Sequence, residues 1–179
     1  DLDTVKVRDV YKNGQKVVKD CEILKKTEVK KDAELERIVK NTFRLRKLNS
    51  EDFYIKPEGE DCRVIKVIPR QIITDEEIVK INFEKNNGID TDRDILKIAV
   101  VERHHNTGHM GVGYITGIGM KKGALCSSVS HDSHNIMVIG TNDADMAAAV
   151  NKVAEFGGGY AAVSDGEVLA ALPLPVAGL

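Results

Sequence analysis

Apolar and polar positions alternate from the start of the chain. Val5-Lys6-Val7-Arg8-Asp9-Val10-Tyr11 leads into Asn13-Gly14, and Lys16-Val17-Val18 returns. An Asn-Gly pair between two such runs predicts a β-hairpin over residues 5–18. Residues 19–52 are heavily charged and nearly free of glycine. Within them Leu35, Ile38 and Val39 fall at helical spacing behind Asp32, which predicts a short helix over 32–40 with Asp32 as its N-cap. The remainder of that stretch reads as a solvated linker.

The texture changes at Cys62. Val64 to Ile68 predicts a strand ended by Pro69, with Gln71 to Thr74 continuing it after a bend, and Glu76 to Phe83 reads as a strand or a short helix. Asn86-Asn87-Gly88 marks a turn. Leu96 to Arg103 predicts a strong strand. Gly108 to Gly123 holds six glycines, which suit tight turns or close backbone approach. Ala124 to Val129 and Ile136 to Gly140 predict two more strands. Thr141-Asn142-Asp143 then caps a helix over 143–156 that carries Met146, Ala149, Val150 and Val153 on one face, and Gly157-Gly158-Gly159 stops it. A second hairpin follows, with Tyr160 to Val163 and Val168 to Leu172 around Asp165-Gly166. The elements add up to an α+β chain, mostly β-strands with few helices.

Composition narrows the function. At 179 residues the chain is one domain, or one with an appendage. A net charge of −2 and 4% aromatic residues give neither the electrostatic footprint nor the stacking platforms of a nucleic-acid binder. No apolar run approaches the roughly 20 residues that span a bilayer, so no membrane partner is expected. Cys21, Cys62 and Cys126 are odd in number and far apart, which fits reduced thiols in a cytoplasm. Asp1 stands directly before a strand-like run and Leu172 to Leu179 is an apolar tail, so both ends look cut.

Two polar clusters interrupt the apolar runs, and together they hold all five histidines. His131-Asp132-Ser133-His134-Asn135 lies between predicted strands. An imidazole can accept or donate a proton, a carboxylate can orient it, and an amide can read a base edge. His131, Asp132 and His134 are therefore candidates for catalysis and Asn135 for substrate binding. A Ser–His–Asp triad is formally present, although residues so close in sequence rarely converge on one atom. A turn in which Asp132, Ser133 and Asn135 bond the backbone is the alternative. His104 and His105, in the His104 to His109 segment, are further candidates for substrate binding. His105 and His109 have metal-binding spacing only on a helix, and Asn106-Thr107-Gly108 argues against one. Gly111-Val112-Gly113 and Gly117-Ile118-Gly119 lack the full spacing of a dinucleotide fingerprint.

The stretch from Val100 to Leu179 resembles the C-terminal domain of bacterial adenine deaminases, in the amidohydrolase superfamily. The residues that carry the likeness are Val101-Glu102-Arg103-His104-His105, Ser127 to Ile136, Gly140-Thr141-Asn142-Asp143 and Leu172 to Leu179. A weaker likeness covers Val64 to Thr74 and the segment from Asn41 to Phe53, and the first hairpin resembles the last hairpin of the amidohydrolase β-sandwich. The resemblance implies a hydrolase acting on a cyclic amidine, converting adenine and water to hypoxanthine and ammonia in purine metabolism. It implies a binuclear manganese or iron centre in an upstream (β/α)₈ barrel. Such a barrel needs about 250 residues of alternating units. No TIM barrel is therefore expected in this chain, and no metal ligand within it. The expected organisation is a sandwich hairpin over 1–20, a charged linker over 21–60 and a truncated C-terminal domain over 61–179. A fragment without activity of its own is expected, from a cytoplasmic parent that binds adenine and forms a homo-oligomer. A structural or assembly module and an autonomous metal-binding hydrolase are the other classes.

Overall fold

The structure, a computed structural model, describes residues 3–24 and 30–179. The chain divides into two units, Asp1–Ala33 and Glu34–Leu179. In the first, β1 (Asp9–Lys12) and β2 (Gln15–Lys19) form the expected hairpin around Asn13, at φ +51°, and Gly14, at φ +74°. A short third strand, β3 (Glu22–Ile23), pairs with β2 and has no counterpart in the sequence reading.

The second unit is built on one eight-stranded sheet. After α1 (Ala33–Lys40), its strands in chain order are β4 (Asp61–Val67), β5 (Thr74–Lys80), β6 (Leu96–Val101), β7 (Met110–Thr116), β8 (Ala124–Ser127), β9 (Ile136–Gly140), β10 (Gly159–Ser164) and β11 (Glu167–Pro173), with α2 (Asp143–Glu155) between β9 and β10. Their spatial order is β11-β10-β8-β9-β6-β7-β4-β5. All neighbours are antiparallel except β4 and β7. The α+β class therefore holds. The glycine-rich stretch holds the expected close backbone approach, at Gly117 and Gly123, and also a strand. Gly111 and Gly113 lie within β7, where the apolar residues between them keep the period of a strand.

One face of the sheet is closed by α2. Asn142 caps this helix by accepting from the Asp145 N–H at 2.7 Å. Met146, Ala149, Val150 and Val153 are fully buried, as the helical spacing predicts, against Ala99, Val101, Cys126, Val138 and Val163. Gly140 lets the helix sit this close, because a Cβ there would meet the Met146 side chain at 2.3 Å.

The opposite face carries two cross-strand rows over six strands. The register aligns Leu172, Tyr160, Ser127, Met137, Val100 and Gly111 in one row. It aligns Ala170, Ala162, Leu125, Ile139, Ile98 and Gly113 in the other.

The segment read as a solvated linker is instead part of this unit from Thr42 onward. Leu48 and Phe53 are buried in the main core, with Phe43 and Leu45 against it. Leu48 exchanges both backbone hydrogen bonds with the Asn151 carboxamide, at 2.9 and 2.8 Å. Charge density hid these apolar positions because they are spaced irregularly, along a segment that ends in one 3-10 turn over Ser50–Phe53. Lys97, buried on the core face of β6, donates to the Phe53 carbonyl, the Asn87 carboxamide and the Asp143 carboxylate. Burial pushes its pKa down, and the Asp143 contact opposes that.

Phe53→Ala should lower the unfolding free energy by about 3–5 kcal/mol, measured by urea denaturation. A solvated linker would leave it within about 0.5 kcal/mol.

Candidate functional site

The residues with candidate chemistry gather where β6 and β8 end. Beyond Val101 the β6–β7 pairing continues for one more bond, from the Glu102 N–H to the His109 carbonyl at 3.0 Å. The Glu102 carboxylate then organises the histidine loop. One oxygen accepts from the His104 and His105 N–H groups, and the other accepts from the Thr107 N–H at 3.0 Å and the Thr107 hydroxyl at 2.9 Å. Burial acts to raise the Glu102 pKa, but these donors outweigh it and hold the carboxyl at about 2. His105 and His109 therefore lie on a loop, not a helix, and their spacing has no ligand geometry.

Arg103 points the other way and is buried. Its Nε donates to the His134 carbonyl at 2.7 Å, one Nη to the Ala177 carbonyl at 2.9 Å and the other to the Thr42 hydroxyl at 3.3 Å. Its guanidinium lies 4.4 Å from the Phe43 ring centroid, a cation–π contact. Burial lowers its pKa, and the Glu102 charge opposes that. The fork geometry suits three acceptors contributed by three separate segments.

The second cluster follows β8. Ser128 is buried. Its hydroxyl donates to the Gly178 carbonyl at 2.6 Å and accepts from the Gly159 N–H at 2.8 Å. The chain then turns through His131 to Asn135. His134 has φ +50°, which only a few non-glycine residues adopt, and its N–H bonds the Ser130 carbonyl at 2.6 Å. The His131 Nδ1 lies 2.8 Å from the Asp132 carboxylate, both side chains being exposed. The His131 and His134 rings meet edge to face at 5.1 Å. Ser133 Oγ accepts from the Asn135 N–H at 3.4 Å, so its hydroxyl turns to the backbone and no triad with His131 forms. Turn chemistry and a histidine–carboxylate pair coexist in one loop.

The fold brings the two clusters together. His104 Nε2 lies 2.9 Å from the Ser133 carbonyl, and Arg103 holds the next carbonyl of the same loop. His105 sits beside His104, with ring centroids 6.3 Å apart. Asn135 reaches a cavity of about 580 Å³ lined with Val100, Glu102, His109, Met110 and Gly111. Its carboxamide oxygen is buried and has no hydrogen-bond partner. Sequence reasoning missed Glu102 and Arg103 as organisers. The available signal was a charged pair ending a strongly apolar strand, where burial of the second charge demands acceptors.

The metal centre implied by the resemblance does not fit these residues. Among the described residues no group of three or more His, Cys, Asp or Glu is placed to hold a metal ion. Here His131 Nδ1 faces Asp132 and His104 Nε2 faces a backbone carbonyl. Among the described residues no helix is long and apolar enough to cross a membrane.

Comparison with known proteins gives these residues a context. The family model for the adenine deaminase C-terminal domain matches residues 71–179. Adenine deaminase 2 of Carboxydothermus hydrogenoformans is 43% identical over 180 residues, covering 100% of this chain and 31% of the relative. The adenine deaminase of Desulfatibacillum aliphaticivorans is 44% identical over 183 residues, again with 100% and 31% coverage. That of Lysinibacillus sphaericus is 34% identical over 181 residues, with the same coverage. The chain spans about a third of the length of these curated relatives.

Glu102→Gln should weaken the histidine loop at neutral pH. Because the folded carboxyl is held below its ordinary value near 4.5, its stabilisation is complete above that pH and is lost as pH falls toward 2. The stability gap between wild type and variant, followed by urea unfolding at successive pH values, should close over that window.

Proposed function

The chain belongs to the adenine deaminase C-terminal domain family, and from that premise we propose that it forms one wall of an adenine deaminase site whose reacting centre lies on the remainder of a longer polypeptide. The observation that carries this reading is the convergence of two histidine loops on Arg103, next to the unpaired Asn135 acceptor. The parent reaction is the hydrolysis of adenine by water, which gives hypoxanthine and releases ammonia. The manganese or iron centre expected for it is assigned to residues outside this chain, so these 179 residues by themselves are inactive.

Within that site the chain's residues orient and enclose. The Asn135 carboxamide oxygen lacks a donor, and the exocyclic amine of adenine supplies one. Burying that pair also satisfies an acceptor whose isolation costs about 1–3 kcal/mol. His104 and His105 line the approach as secondary contacts. The exposed His131–Asp132 pair and His134 form the rim, where an imidazole steered by a carboxylate can pass a proton to or from solvent. The parent is taken to act in purine metabolism, in the cytoplasm.

An alternative class, a purely structural module, is supported by the backbone bonds of Ser133 and His134 within the turn. The two readings part on a single substitution. In the full-length enzyme, His134→Ala should lower kcat/KM for adenine by more than about tenfold, the range for a positioned proton-transfer or orienting group. A lower melting temperature with unchanged kinetics would instead favour the structural module and remove the site role.

A further inference from the structure

The uncovered face of the sheet is apolar where a solvated face should be polar. Antiparallel sheets with one face in water alternate apolar inward and polar outward positions. In the two cross-strand rows of this face no side chain is charged, and only Ser127 and Tyr160 carry hydroxyls. Leu125, Tyr160 and Leu172 are 54%, 43% and 55% exposed. With Met137, Ile139 and Ala162 they line a groove of about 450 Å³. The other end of the same sheet is mixed: on β4 and β5 the exposed Ile65 and Ile78 stand among charges, with Arg63–Glu76 and Lys66–Glu77 ion pairs. What sets the β11–β7 rows apart is apolar exposure with no charge among it.

Two occupants compete for this face: a second copy and polypeptide outside these residues. The rows cover six strands and, since same-face residues fall two apart, about four residues of each strand, which at a strand spacing of about 4.8 Å and a rise of about 3.4 Å per residue gives roughly 400 Å². Two copies packed face to face would bury about 800 Å², below the 1,200–2,000 Å² of stable interfaces. A tethered surface needs no such area, because linkage replaces association from solution. The relatives carry the required tether, since this chain matches only 31% of their length.

We propose that this face docks onto the portion of the longer polypeptide that lies outside these residues, through an apolar surface of that portion. The proposal rests on the reading above and adds orientation to it. Val100 lies in the apolar row and also lines the cavity of Glu102, His109 and Asn135. Docking through the rows therefore carries Asn135 and the two histidine loops to the edge of the contact, where a site shared with the remaining polypeptide can form.

The test labels cysteines placed at Leu125 and Tyr160 in the 179-residue chain, and at the aligned positions of the Carboxydothermus adenine deaminase 2. N-ethylmaleimide modification is followed peptide by peptide by mass spectrometry, with circular dichroism as the folding control. Ready labelling in the chain and at least about tenfold slower labelling in the longer enzyme is the expected result, as for a site reached only by local opening. Equal rates would overturn the proposal. So would a stable dimer of the 179-residue chain, seen by light scattering, that Leu125→Glu dissociates, since a second copy would then own the face. Protection of both positions with His134→Ala kinetically silent leaves the docking intact and removes the site role. Free labelling with His134→Ala strongly impaired does the reverse.

Discussion

A buried guanidinium has to be surrounded by acceptors, and in this protein that requirement ties the architecture together. Arg103 leaves water at the end of the central strand β6 and meets carbonyls from the His134 loop and the C-terminal turn, the Thr42 hydroxyl and the Phe43 ring. These groups come from three segments distant in sequence, so none can shift alone without leaving a charge unsatisfied. Desolvating an ion is costly, and only a complete ring of partners offsets it. The left-handed backbone of His134 and the seating of Gly178 against the guanidinium follow from that ring.

Glu102 complements this arrangement from the next position. Adjacent residues at a strand end point to opposite sides, so a single dipeptide organises two loops at once. The carboxylate gathers the N–H groups of the His104–Thr107 turn while the guanidinium gathers carbonyls. The polarity of the backbone thus decides which charge serves which loop, and the two histidine clusters end up facing each other across His104 and Ser133. Lys97 plays a comparable role at the other end of β6, joining the Phe53 segment to the start of α2.

Much of the fold was legible because local rules are strong where they apply. The Asn13-Gly14 and Asp165-Gly166 turns, the capped helix α2 and the strands β4, β6, β8 and β9 follow from turn chemistry, capping and apolar period. Strand β7 was not legible, since its glycines mimic loop composition while its partners on both sides hold it extended. Leu48 and Phe53 were hidden in the same way, their burial being decided by Asn151 and α2 more than 90 residues away. At the site, the candidate residues were visible as polar interruptions of apolar runs. Their organisers Glu102 and Arg103 were not, because a charged pair at a strand end looks like an ordinary exit to solvent.

The amino-acid sequence by itself determined the local elements, the α+β class, the histidine clusters and the family to which residues 71–179 conform. These depend on neighbours a few residues apart, where dihedral preference and period act directly. The tertiary structure alone decided that the two clusters meet, that Arg103 and Lys97 are buried, and that six strands of the sheet, β11 to β7, are apolar on both faces. Each of these is set by strand order and register, with β9 beside β6 and β8 beside β10. A one-residue slip would exchange the two faces, and no local preference records which register closes the core.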